Sequence, residues 1–207
     1  MHGFIPRTFT IGRHGFRRPL CSARSCPGAA PTGCHIVMIE ELFNTPIVVF
    51  GCGNVLFGDD GFGPEVIACL TQNHALPPAV FAVDVGTSIG SYLFDLSISP
   101  ARPRCIFIVD AISQPGRKPG ELFELSIDQM PAAKSGDFSL HQFPSVNLLQ
   151  EMQAQGGVRV RILAAQIKQI PEVVGPGLSP ELQQAVPRAC DWLMQAITAE
   201  LAALPQT

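Results

Sequence analysis

The chain has 207 residues, 46% hydrophobic and 15% charged, which suits one globular domain with a sizeable core. Its net charge of −3 conceals an asymmetry: residues 1–37 carry five Arg and no Lys, Asp or Glu, and the remainder holds nine basic against 17 acidic residues, a formal −8. An acidic body argues against nucleic acid as the main partner, and no apolar run reaches the roughly 18 residues that a membrane-spanning helix needs.

The first 37 residues are rich in Pro, Gly, Arg and Ser and have no apolar period, so a disordered tail is expected there. Arg17-Arg18 is not followed by the apolar stretch of an export signal, and the Arg-rich start lacks the amphipathic helix of a transit peptide. Cys21, Cys26 and Cys34 match no zinc spacing. "MIEELFNTPIVVFG", from Met38, reads as an ordinary start for an α/β domain. The expected organisation is therefore a basic tail or gene-model extension over 1–37 and one domain over 38–207. A chain beginning at Met38 is expected to melt at the temperature of the full chain, because a segment without an apolar face adds nothing to the core. A clear drop in a thermal unfolding scan would overturn this.

Beyond Met38, β-branched apolar runs predict strands at 47–51, 80–86, 105–111, 121–125 and 158–165. The first and third are almost wholly apolar, as strands buried on both faces are. Helices are predicted from Gly63-Pro64 onward, over about 90–96, over about 145–155, and from a Ser179 cap with Pro180 in the first turn to about Leu204. Pro187 should kink the last helix or end its first segment. This alternation implies an α/β fold in three layers, a mostly parallel sheet with helices on both faces. "ELFEL" follows its predecessor too soon for a helical crossover and should be an antiparallel or edge strand. Cys52 and Cys105 lie in strand-like surroundings, Cys69 and Cys190 in helix-like ones. This is the reduced, small-hydrophobe usage of a cytoplasmic protein.

"IVVFGCGNVLFGDDGFGPEVI", residues 47–67, opens like a nucleotide loop. The dinucleotide fingerprint needs a third glycine where Leu56 stands, and Leu56 would obstruct close helix–strand packing. No Walker Gly-Lys-Ser/Thr exists. Asp59 and Asp60 instead precede the helix, where they would repel a phosphate and attract a cation. One of them could serve as the helix cap; two adjacent ones leave one without that explanation. Further ligands for a cation should come from the carboxyl ends of parallel strands. Asp110 ends "CIFIVD", and His141 follows "KSGDFSL". Carboxylates with an imidazole suit a divalent metal such as nickel or zinc. Asp84, at a strand end, and Asp95, in a helical pattern that marks it as a surface residue, are rival acids. Cys52 reads as a small buried filler, and no Ser-His-Asp or Cys-His nucleophile set is evident.

Taken together, "GCGNVLFGDDGFGPEVI", "DVGTSIGSYLFDL", "FIVDAI" and "SLHQFP" resemble the hydrogenase maturation endopeptidases over about Pro46 to Leu201. "DFSLHQFPSVNLL" looks most like the branch serving deazaflavin-coenzyme-reducing or heterodisulfide-reductase-linked hydrogenases. The resemblance implies a twisted five-stranded sheet between helices. It also implies a cytoplasmic protease, expected as a monomer, that trims the C-terminal peptide of a [NiFe]-hydrogenase large-subunit precursor after nickel insertion. Its metal-contacting residues carry over to Asp60, Asp110 and His141. Many members have Glu at the first position, so Asp59 stands as the alternative to Asp60. The "GGT" of some members is Val85-Gly86-Thr87 here. The nickel is expected to be the precursor's own, met transiently. Rival readings are a non-catalytic nickel-binding or chaperone module using the same three residues, and a nucleotide-binding oxidoreductase.

Overall fold

The computed structural model describes residues 42–127 and 143–203. Five strands form one sheet in the order β2-β1-β3-β5-β4: β1 (Ile47–Cys52), β2 (Val80–Gly86), β3 (Cys105–Ile112), β4 (Leu122–Leu125) and β5 (Arg159–Gln166). Pairings among β2, β1, β3 and β5 are parallel, and β4 is an antiparallel edge strand, with Leu122 opposite Ala165. Four helices accompany them: α1 (Phe62–Asn73), α2 (Ile89–Ile98), α3 (Phe143–Gly156) and α4 (Pro180–Ala202). All five strands and all four helices fall where the sequence pattern predicts, within a few residues.

Strand alternation divides the core. Odd-numbered residues of the central strands, Ile47, Val49, Phe107 and Val109, pack with Phe62 and Val66 of α1 and Leu193 of α4. Even-numbered ones, Val48, Phe50, Ile106 and Ile108, pack with Leu93 of α2 and Leu149 and Met152 of α3. Because both faces of β1 are covered, all six of its residues are buried, which explains its continuous apolar run. Phe107 is fully buried and meets Trp192 of α4 edge to face at 6.2 Å. Burial of a side chain this large is worth about 2–3 kcal/mol.

α4 continues through Pro187 rather than ending there. Ser179 occupies its N-cap position, yet the Ser179 hydroxyl makes no capping bond. The sequence expectation of a Ser cap is corrected on that point; what meets the Ser179 amide comes from a distant loop.

Chain order places β2 and β3 on opposite sides of β1. The chain therefore changes winding direction between β1 and β3, and the carboxyl ends of these strands form the crevice where open α/β sheets bind ligands. The loop after β1 and Asp110 of β3 both lie at this edge.

Candidate active site

After Cys52 the chain makes a tight reversal. Gly53 has φ +125°, a conformation that side chains resist, and a Cβ there would strike the Asp60 carbonyl. The Asn54 side chain then accepts from the Leu56 amide at 3.0 Å, an Asx turn. Its backbone amide donates to Asp60 Oδ2 at 2.8 Å. Asn54 thus holds both the loop and the acid, a role the sequence reading missed. The signal was present, since Asn directly after Gly favours such a turn.

A short 3-10 turn, Gly58–Gly61, carries the two adjacent acids, and their environments differ. Asp59 is 1% exposed. Its Oδ1 accepts from the Ser179 amide at 2.7 Å, and its Oδ2 from the amides of Lys168 (2.8 Å) and Gln169 (3.3 Å). One carboxylate thus satisfies backbone donors of the loop between β5 and α4, at the N-terminus of α4, where a negative charge is also favoured. Neither acid caps α1: its N-cap is Gly61, without a side-chain capping bond. Asp60 is half-buried and faces the loop after β1 through its bond from Asn54.

Asp110 is buried at 7% exposure, and its Oδ1 accepts from the following amide, Ala111, at 2.8 Å. Asp84, exposed at the end of β2, accepts from the Gly86 amide at 2.8 Å. Cys52 reports how these acids converge. Burial chiefly, then the charges of Asp110, Asp84 and Asp60 in that order, push its thiol well above the ordinary range. Acids from three different segments therefore all act on the charge of one buried thiol. That thiol stays protonated at any physiological pH and is no nucleophile. Asp95 lies partly exposed on α2 and is not among the acids that act on Cys52.

His141 lies outside the described residues. Among the described residues no three His, Cys, Asp or Glu side chains close on a point as a metal cage would. The described histidine is His74, which follows α1 at its C-cap, so the described residues contain no His beside the acids.

Leu56 does not stand at a helix–strand contact, as the third glycine of a dinucleotide fingerprint does: it is 47% exposed. Close helix–strand approach is made instead by Gly63, whose Cβ would fall 2.5 Å from the Val109 carbonyl oxygen. α1 begins nine residues beyond Gly53, and the turn that carries the two acids lies between them in the chain.

The chain is similar to known proteins. The family model for hydrogenase maturation protease matches residues 64–196. A Methanocaldococcus jannaschii protein named as a hydrogenase maturation protease is 35% identical over 153 residues, 73% of this chain and 96% of that protein. The chain belongs to the hydrogenase maturation protease family. Coenzyme F420 hydrogenase subunit delta of Methanothermobacter thermautotrophicus is 30% identical over 75% of this chain and 96% of its own length, in keeping with the branch that "DFSLHQFPSVNLL" suggests. The solved hydrogenase maturating endopeptidase HYBD from E. coli superposes with a TM-score of 0.60 at 26% identity, covering 75% of this chain and 94% of its own. This hydrogenase maturation protease is accordingly an endopeptidase. The oxidoreductase and non-catalytic readings are set aside.

Proposed function

We propose that this endopeptidase removes the C-terminal peptide of a [NiFe]-hydrogenase large-subunit precursor once nickel is in place, in the cytoplasm and as a monomer. Asp60, Asp110 and His141 contact the precursor's nickel. The observation that carries the assignment is the division of labour between neighbouring acids. Asp59 is committed to three backbone amides of another loop. Asp60 instead accepts from the Asn54 amide in the loop after β1, at the carboxyl edge of the sheet where Asp110 also lies. This favours Asp60 over Asp59.

His141 stands two residues before Phe143, the first residue of α3. α3 packs on the sheet face that also carries Cys52, and it ends at Gly156, beside Arg102 and the start of β5, at the amino edge. A helix of 14 residues spans about 21 Å, so α3 starts toward the opposite, carboxyl edge.

Two carboxylates and an imidazole offer oxygen and nitrogen donors that suit a borderline divalent ion. Nickel held by the precursor gives the enzyme a recognition element, and as a Lewis acid it can polarise the scissile carbonyl or a water. The enzyme's part is to present the acids to the metal and to hold the cleavage segment in register.

Isolated enzyme is expected to bind Ni²⁺, or Cd²⁺ as a mimic, at one site by calorimetry. Affinity should fall as pH drops through about 6.5, because a ligating imidazole must be neutral. Flat affinity between about pH 5 and 8 would remove His141 from the ligand set.

A further inference from the structure

The loop that presents Asp60 also carries an apolar ridge. Val55 and Leu56 are 45% and 47% exposed, and across from them Val173 and Val174 of the loop between β5 and α4 are 75% and 63% exposed. These are four of the six large hydrophobic side chains exposed among the described residues. Scattered exposed aliphatics are ordinary, but a cluster at one edge marks an interaction surface.

The two loops are locked together. The Gly58 amide donates to the Gly175 carbonyl at 2.9 Å, and the Gly175 amide donates to the Leu56 carbonyl at 2.9 Å. Asp59 adds its bonds to the amides of Lys168, Gln169 and Ser179 from the same turn. A loop so fastened presents its aliphatic side chains without the ordering cost that a mobile loop incurs on binding. The sequence-distant loop 167–179 has no other evident reason to expose two adjacent valines.

We infer that Val55, Leu56, Val173 and Val174 form the surface on which the hydrogenase precursor docks, through an apolar patch beside its cleavage segment. The inference rests on the proposed function and extends it. The ridge is continuous with the site: Leu56 and Asp60 are joined through Asn54, which accepts from the Leu56 amide and donates its own amide to Asp60. A protein substrate whose nickel reaches Asp60 therefore approaches the loop that carries Leu56. Contact with four aliphatic side chains makes this association weakly dependent on salt, unlike charge-steered docking.

The test uses Leu56→Glu and Val174→Glu in the full chain, with Val174→Ile as the conservative control. Direct binding of nickel-loaded precursor is measured together with the kinetics of processing. Each charged variant should raise both Kd and KM at least about tenfold, with kcat within about twofold for Val174→Glu and with Ni²⁺ binding by the isolated Val174→Glu enzyme unchanged. Val174→Ile should match wild type. Unaltered precursor binding by both charged variants overturns the ridge and leaves the proposed cleavage standing. Wild type that binds precursor in a ridge-dependent way without ever cutting it overturns the cleavage and leaves the ridge standing. Self-association of wild type in sedimentation, lost in both charged variants while precursor binding is kept, would assign the ridge to a second copy of this chain and overturn the inference.

Discussion

Asp60→Asn, Asp110→Asn and His141→Ala are each expected to slow removal of the precursor's C-terminal peptide by at least about a hundredfold, with the sheet intact. Asn keeps the size of Asp and most of its hydrogen bonding. The Ala111 amide can still donate to residue 110, and the Asn54 amide to residue 60. What is lost is charge at the crevice between β1 and β3. Strand-end and loop positions contribute little to the core, so circular dichroism should be unchanged. The readout is the mobility shift of the large subunit on a gel. Precursor without nickel should stay uncut by wild type and variants alike. Full processing by folded His141→Ala would remove the imidazole from the mechanism, and cleavage of nickel-free precursor by wild type would show that nickel is not the recognition element.

Asp59→Ala should act oppositely, through stability. It leaves the amides of Lys168, Gln169 and Ser179 without their acceptor, next to a residue that is 1% exposed. Hydrogen bonds to a charged acceptor contribute about 1.5–3 kcal/mol, and buried donors left unpaired cost about as much. With partial rescue by water, a loss of about 3–5 kcal/mol is expected in urea titration, a large share of a typical domain's stability. Nickel binding by whatever fraction remains folded should be near wild type. A change below about 1 kcal/mol, coupled with lost metal binding, would reverse the roles assigned to the two neighbours.

These paired outcomes show where sequence reading succeeds. Strand and helix positions follow from local hydrophobic period, so β1 to β5 and α1 to α4 were legible, and so was the antiparallel setting of β4, from the short connection before it. The placement of Asp110 toward the carboxyl end of β3 was legible for the same reason, although the strand runs two residues further, to Ile112. Such signals lie within a dozen residues of one another.

The difference between Asp59 and Asp60 was not legible. Adjacent and chemically identical, they are separated only by partners: Asp59 meets amides about 110 to 120 residues further along, and Asp60 meets one six residues back. Likewise Gly63 is required by the Val109 carbonyl on a strand three elements further along the chain, and the protonated state of Cys52 by its burial first, then by acids on two neighbouring strands and in the following turn. Val173 and Val174 read in sequence as part of a loop; their joint exposure with Leu56 follows from two hydrogen bonds at Gly175. The sequence by itself determined which segments are strands and helices, because period and turn chemistry act locally. The tertiary structure decided which acid is structural and which faces the crevice, because a buried carboxylate takes its role from whichever donors the fold brings to it.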